Sequence, residues 1–90
     1  MPSCEVTIIN KLGLHARAAA KFVGVANQFP CDIRVGRSPE SRVDGKSIMA
    51  VMMLAASKGT TLHLHTQGDQ EHEALAALIA LIEDYFEEGE

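Results

Sequence analysis

Within ninety residues, the spacing of apolar side chains changes several times between the period of a strand and the period of a helix. Alternation of apolar and polar residues predicts a strand, whereas recurrence at i, i+3, i+4 and i+7 predicts an amphipathic helix. The patterns follow the order β-α-β-β-α-β-α. Strands and helices do not alternate regularly in this order. It therefore predicts an α+β fold with three helices layered on one face of a four-stranded, mostly antiparallel sheet.

The predicted elements have the following bounds. The strands are Glu5–Asn10, Cys31–Val35, Glu40–Val43 and Thr60–Thr66. The helices are Ala16–Asn27, Ser47–Ser57 and a third helix that Asp69 caps. Core stripes are expected on the first helix (Ala19, Phe22, Val23, Ala26) and on the third (Leu75, Leu78, Ile79, Ile82, Phe86). Arg17, Lys21 and Gly24 fall on the solvent side of the first helix. No repeat or linker divides residues 1–90, so we expect a single domain.

Composition and charge exclude several classes of function. The chain is 47% hydrophobic and 22% charged, as is typical of a soluble globular domain. A net charge of −4 disfavours binding to nucleic acid or to an anionic membrane, and the few aromatic residues form no platform for bases. Neither a membrane-spanning apolar run nor a signal-peptide pattern is visible. We therefore expect a cytoplasmic protein without nucleic-acid or membrane partners.

Cysteine and histidine patterns predict neither a redox site nor a metal site. Cys4 and Cys31 form no C-x-x-C pair, so two reduced, partly buried thiols are expected. His63 and His65 share one face of the last strand, a geometry that can hold zinc. However, no Cys, Asp or Glu lies beside them in sequence, and His72 belongs to a helix on the other face of the sheet. We expect a solvated polar pair and no metal.

The second helix carries nine consecutive apolar residues, Ile48–Ala56. A helix in so small a protein buries only one stripe, so part of this surface must stay exposed. One face holds Ser47, Ala50, Val51 and Leu54, and the other holds Ile48, Met49 and Met52. Exposed methionines often bind partner proteins because the thioether is flexible and polarizable. The alternative is a loosely packed core that buries all three methionines of this run, Met49, Met52 and Met53.

The segment 13–20, GLHARAAA, places a histidine at the start of the first helix. Histidine is a poor N-cap, but the free N–H groups and positive dipole end of a helix attract phosphate. Arg17 offers a guanidinium that matches phosphate oxygens, and the imidazole of His15 can accept a phosphoryl group covalently. Small alanines, including Ala20, allow another protein to approach closely. The alternative is an ordinary surface histidine near a helix end.

Residues 13–20 resemble the phosphorylation-site signature of the HPr family, the histidine-containing phosphocarriers of the phosphoenolpyruvate-dependent phosphotransferase system. Residues 46–55, KSIMAVMMLA, resemble the second signature of that family, which surrounds a regulatory serine. Both motifs occur in the family's order and at its separation, and the resemblance spans the whole chain. The family fold, an open-faced β-sandwich, agrees with the predicted element order.

The resemblance implies a role for each matching residue. His15 is expected to take a phosphoryl group on Nδ1 from a phosphohistidine of enzyme I and to pass it to a histidine of a IIA-type protein, with Arg17 stabilising the phosphate. Ser47 corresponds to the serine modified by an HPr kinase/phosphorylase. The residues expected to form the docking surface are Ala20, Ile48, Met49 and Met52. The family implies a monomeric carrier that needs no cofactor and is not itself an enzyme.

Some positions depart from the common family pattern and leave the pathway open. Ala18 replaces a frequent proline, and Gly24 and Asn27 stand where sugar-system members often carry lysine. Fewer lysines should slow encounter with an acidic enzyme I. The pattern also resembles nitrogen-branch carriers, so both sugar uptake and nitrogen-related regulation are retained. A second hypothesis is a binding module of the same fold that no longer transfers phosphate; relatives of that kind replace the histidine that this chain keeps.

A third hypothesis comes from a different class of protein. A small metal-dependent hydrolase could use His63 and His65, but the sequence provides no carboxylate partners beside them.

Overall fold

The computed structural model describes residues 3–87. A four-stranded sheet has the order β1-β4-β2-β3, and all three strand pairs are antiparallel. The strands are β1 (Ser3–Thr7), β2 (Asp32–Gly36), β3 (Arg42–Asp44) and β4 (Thr61–Gln67). The helices are α1 (Ala16–Ala26), α2 (Ile48–Met52) and α3 (Glu71–Glu83), followed by a 3₁₀ turn at Tyr85–Glu87. The predicted order β-α-β-β-α-β-α is confirmed.

The central strand β4 shows how the sheet separates the core from solvent. Leu62 and Leu64 point inward and are fully or almost fully buried, opposite Val6 on β1 and Val35 on β2 respectively. The intervening Thr61, His63 and His65 are half-buried on the other face. Because a strand alternates its side chains, one face lies under the helices and the other is left open. The architecture is the predicted open-faced sandwich.

The predicted stripe of α1 packs into the core. Ala19, Phe22 and Ala26 are fully buried, and Val23 is half-buried against them. Gly24 on the opposite side is exposed, as predicted. Within residues 3–87, no helix is both long and apolar enough to cross a membrane.

Helix α2 is much shorter than predicted. The expected helix was 47–57, but the observed one covers only Ile48–Met52, with Ser47 as its N-cap. Ala55 has a left-handed φ of 51°, which a continuing α-helix does not allow. The carbonyl of Ala56 instead accepts a hydrogen bond from the N–H of Leu14 at 2.8 Å. A tertiary contact therefore ends the helix where the apolar spacing alone continued it.

Strand β1 also ends earlier than predicted. The expected strand reached Asn10, whereas ladder pairing with β4 stops at Thr7. The Asn10 side chain is buried and donates to the carbonyl of Gly13 at 2.8 Å, so it organises a turn. Strands β2 and β4 begin and end one residue later than predicted, and β3 covers Arg42–Asp44 instead of 40–43.

Both ends of α3 differ from the prediction. Asp69 is not the cap: the N-cap is Gln70, in a left-handed conformation, and its side chain makes no capping bond. The Glu71 carboxylate instead accepts from the N–H of Gly68 at 2.8 Å. Phe86 is fully buried as predicted, but it lies beyond the helix in a turn with a φ of 52°.

Candidate functional site

Helix α1 begins at a residue that does not cap it. His15 has extended backbone angles, φ −77° and ψ −179°, and its side chain makes no capping hydrogen bond. Its carbonyl accepts from the N–H of Ala19 at 2.8 Å, which closes the first helical turn. The earlier N–H groups of an α-helix have no acceptor inside the helix, and they carry the positive end of its dipole. This helix start is therefore electrostatically suited to an anion.

Two hydrogen bonds and one glycine help to hold the loop before α1 in place. Asn10 bonds the carbonyl of Gly13, and Leu14 bonds the carbonyl of Ala56. Gly13 has a φ of +67°, and a Cβ built there would lie 2.6 Å from the Ala56 oxygen. Only glycine tolerates both the left-handed angle and this close approach. The same loop that ends α2 thereby fixes the position of His15.

A cleft of about 800 Å³ opens beside His15. Its charged lining comes from Lys11, Arg17, Lys21 and Glu87. Three cations therefore face one carboxylate, although the chain as a whole has a net charge of −4. The Lys21 ammonium lies 3.8 Å from a Glu87 carboxylate oxygen and donates to the carbonyl of Phe86 at 2.8 Å. The cleft concentrates positive charge at the open start of α1.

Sequence reasoning found His15 and Arg17 but missed the other cations of the cleft. Lys21 was assigned to the solvent side of the helix, yet it is half-buried between the cleft and the C-terminal turn. Lys21 follows Arg17 by four residues, which places both side chains on one side of α1. This spacing could have indicated from the sequence that Lys21 lies near Arg17. Lys11 reaches the cleft only because the loop 8–15 folds back, and nothing local in the sequence indicates that.

The imidazole of His15 is half-buried, and one of its nitrogens is hidden. Nε2 is buried, so the solvent-facing part of the side chain lies elsewhere on the residue. A reacting group that approaches from the cleft must therefore approach an atom other than Nε2.

The outer side of α2 is an exposed apolar surface. Ile48, Met49, Met52 and Met53 are 41%, 69%, 42% and 80% exposed, and we call these four residues the methionine patch. Val51 on the opposite side is fully buried. The predicted division of faces is confirmed, and the alternative of a core that absorbs the methionines is wrong. The prediction missed Met53, although it follows Met49 by four residues, a spacing that places both on one side of a helix.

Two further predicted site residues and one that was not predicted lie near these features. Ala20 is exposed on α1, and α1 packs beside α2. Ser47 is half-buried at the start of α2, and its hydroxyl accepts from the N–H of Ala50 at 3.3 Å. Leu12, which sequence reasoning did not select, is 68% exposed and lines the His15 cleft. The loop, α1 and α2 thus combine a polar cleft with an apolar surface.

The open face of the sheet holds the paired histidines. His63 lies directly across from Glu5 of β1, a juxtaposition that the sequence did not reveal. In the described part of the chain, 3–87, no group of three or more His, Cys, Asp or Glu side chains could hold a metal ion. Cys31 is buried and Cys4 half-buried, and both are free thiols as predicted.

Comparisons with known proteins point to one family. The family model described as the phosphorylation site of the HPr component of the phosphotransferase system matches residues 2–84. The phosphocarrier protein HPr of Pseudomonas aeruginosa is 76% identical over 90 residues, covering 100% of both chains. A solved HPr structure from Thermoanaerobacter tengcongensis has a TM-score of 0.91 at 44% identity, covering 98% of each chain. A structure named as an HPr dimer from the same organism has a TM-score of 0.74 at 44% identity, covering 96% of this chain and 98% of that one.

HPr proteins are phosphocarriers and not enzymes, and they interact with phosphotransferase-system proteins such as enzyme I and IIA proteins. The uncapped histidine at a cationic helix start, the fold and the match over nearly the full chain agree. The chain belongs to the HPr family of phosphocarriers of the phosphotransferase system.

Proposed function

We propose that His15 is the residue that carries the phosphoryl group between enzyme I and a IIA-type acceptor. The observation that carries this proposal is the uncapped start of α1, which opens into a cleft lined by three cations. Nδ1 is the proposed acceptor atom because Nε2 is buried. In each transfer the bond from phosphorus to the donor nitrogen breaks as the bond to the acceptor nitrogen forms. The electron pair leaves with the donor imidazole.

Arg17 is proposed to bind the transferred phosphoryl oxygens, assisted by Lys11 and Lys21. All three line the cleft, and a guanidinium matches two phosphoryl oxygens at once. The N–H groups of the first turn of α1 add fixed partial charges that need no reorganisation. Phosphoryl transfer depends mainly on alignment and charge stabilisation, so the chain contributes position and electrostatics.

Docking of both partners is proposed on the methionine patch together with Ala20. The patch is exposed and apolar, and α1 and α2 lie side by side, so one partner surface can cover both it and the cleft. Ser47 adjoins this surface and is proposed as a regulatory phosphorylation site for an HPr kinase/phosphorylase, where the host has one. A phosphate there brings a charge of about −1.5 to −2 to a surface that the partner must desolvate.

We further propose that the protein acts as a cytoplasmic monomer, because the cleft and the patch must both be free for each partner. Light scattering after size exclusion tests this point against the dimeric state named for one relative. Transfer assays with a sugar-type and a nitrogen-type IIA acceptor then decide between sugar uptake and nitrogen-related regulation. The two pathways differ in which acceptor takes the phosphoryl group from the phosphorylated protein.

The central experiment is incubation with a cognate enzyme I and phosphoenolpyruvate, followed by intact mass. One added phosphate is expected on the parent protein and none on His15→Ala. His72→Ala is the matched control, because His72 is an exposed histidine that does not line the cleft. The modification should be lost in acid and kept in base, as a phosphoramidate is. Uptake of phosphate by His15→Ala, or acid-stable phosphate, overturns the assignment.

Docking has its own test in a pair of double variants. Met49→Glu with Met52→Glu is expected to raise the apparent KM for this protein in the enzyme I reaction, with little change in Tm because both side chains are exposed. Met49→Leu with Met52→Leu keeps the apolar volume and should transfer normally. An unchanged KM for the Glu pair rules out this surface as the docking site.

A further inference from the structure

Three thioethers lie next to one another on a single exposed surface. Met53 is 80% exposed, Met49 is 69% exposed and Met52 is 42% exposed. All three belong to the methionine patch, whose buried neighbours Val51 and Leu54 anchor the segment to the core. A methionine in a core is protected by its packing, whereas these sulfurs are open to small solutes. The fold therefore presents oxidizable sulfur at the surface where we propose that partners dock.

We propose that Met49, Met52 and Met53 are sites of reversible oxidation by peroxides, and that their sulfoxides weaken docking. In each event the sulfur lone pair attacks one oxygen of hydrogen peroxide and the O–O bond breaks. That oxygen is transferred to sulfur, which is oxidised by two electrons, and the other oxygen leaves as water. Methionine sulfoxide reductases reverse the change with electrons from thiols.

The consequence for docking follows from polarity and rests on the proposed function. A sulfoxide is a polar hydrogen-bond acceptor in place of an apolar thioether. An interface that buries it without a hydrogen-bond partner is weakened by the free energy needed to remove it from water. The folded state loses little because the oxidised atoms are solvent-exposed. Oxidation should therefore act on partner binding and leave Tm almost unchanged, which is the opposite of what a buried methionine would do.

The remaining sulfur atoms of the described chain are less accessible. Cys31 is buried, and Cys4 is half-buried with its thiol donating to the carbonyl of Glu5 at 3.3 Å. The exposures predict an order of reaction in which Met53 and Met49 oxidise before Met52.

The test uses the intact protein treated with hydrogen peroxide, quenched with catalase and then reduced with dithiothreitol to reverse cysteine disulfides. Peptide mapping should find sulfoxide at Met53 and Met49 before Met52. The apparent KM for this protein in the enzyme I reaction should then rise about tenfold, as expected for burying one poorly partnered polar group. Treatment with reductases for both sulfoxide epimers should restore the original KM.

The matched control is the triple variant Met49→Leu, Met52→Leu and Met53→Leu, which keeps the patch apolar but removes its sulfur. The KM of this variant after the same peroxide treatment should equal the KM of the same variant before treatment. Parent protein with all three sulfoxides and an unchanged KM overturns the proposal, as does an equal loss in the triple variant. Failure of the proposed docking function is recognised separately, because then the Met49→Glu, Met52→Glu pair would also leave transfer unchanged.

Discussion

The two helix starts beside the proposed site are built in opposite ways. At α1, His15 leaves the first turn without a side-chain cap. At α2, the hydroxyl of Ser47 accepts from the N–H of Ala50 and closes the helix start. The first helix has 11 residues and the second has five, so only α1 has a substantial dipole. One start is left open to an outside anion, and the other is completed by its own side chain.

This difference shows how a small domain divides stability and function between neighbouring elements. A serine, aspartate or asparagine at position 15 would stabilise α1, yet the chain carries an imidazole there. The lost cap is offset by burial of Phe22 and Ala26 and by the loop contacts of Gly13 and Leu14. At Ser47 no capping stabilisation is lost, because the hydroxyl that we propose as a modification site is also the N-cap of α2.

The largest expected effect comes from giving α1 the kind of cap that α2 has. His15→Ser should abolish phosphoryl uptake from enzyme I. It should nevertheless be more stable than His15→Ala by about 1 kcal/mol, because only serine can accept from the first-turn N–H groups. Intact mass and urea unfolding measure the two properties. Equal stability of the two variants would contradict the idea that this helix start is short of a cap.

Arg17 tests whether the open start needs a cation beside it. Arg17→Ala should slow phosphoryl transfer by about 10²–10³-fold with little change in stability, since the residue is exposed and acts on developing charge. Single-turnover kinetics with phosphorylated enzyme I provide the rate. Arg34→Ala is the control, because that exposed arginine lies on the open sheet face and pairs with Asp32. Similar rates for both variants would remove Arg17 from the site.

Gly13 tests whether the loop positions the open start. Gly13→Ala should destabilise the fold by about 2–4 kcal/mol, because it combines a left-handed φ with a clash against the Ala56 carbonyl. The resulting shift of His15 should slow transfer by roughly 10–100-fold in the fraction that stays folded. Gly24→Ala is the control: apart from its chain neighbours and its own helix backbone, nothing lies within 4 Å of a Cβ built there, and the variant should be neutral or stabilising. A normal transfer rate in Gly13→Ala would make the loop irrelevant to the site.

Charge at the second helix start should matter less than charge at the first. Ser47→Asp is expected to raise the apparent KM for this protein about tenfold, because the partner must desolvate a carboxylate next to the methionine patch. Ser47→Asn is the control, since it caps equally well without charge. Steady-state kinetics with enzyme I separate the two variants. Identical KM values would leave Ser47 as a cap with no regulatory role.

The smallest expected effect is loss of the Ser47 cap itself. Ser47→Ala should keep the transfer kinetics and lose about 0.5–2 kcal/mol of unfolding free energy. Ser57→Ala is a control at an exposed serine whose backbone N–H, and not its hydroxyl, makes the observed bond to Thr60. Chemical denaturation measures both. A transfer defect in Ser47→Ala would mean that the hydroxyl contacts the partner directly.

Local pattern predicted much of this molecule because the relevant interactions are themselves local. The buried faces of β4 and α1 were predicted correctly. To bury one face, a strand needs apolar residues with a period of two and a helix needs them with the helical period. His15 and Arg17 were predicted as a helix start and a neighbouring cation, and Ser47 as the cap of the second helix, each from the residues close to it in the chain. The exposure of Ile48, Met49 and Met52 also followed, because one face of a short helix must stay outside.

The tertiary structure decided what depends on distant residues. The predicted end of α2 was wrong because the bond from Leu14 to Ala56 turns the chain, and no local period encodes that contact. Lys11 and Glu87 meet beside His15 although 76 positions separate them in the chain (87 − 11). Apolar spacing and helix starts are written in neighbouring residues, whereas the charge of a cleft is a sum over whichever segments packing brings together.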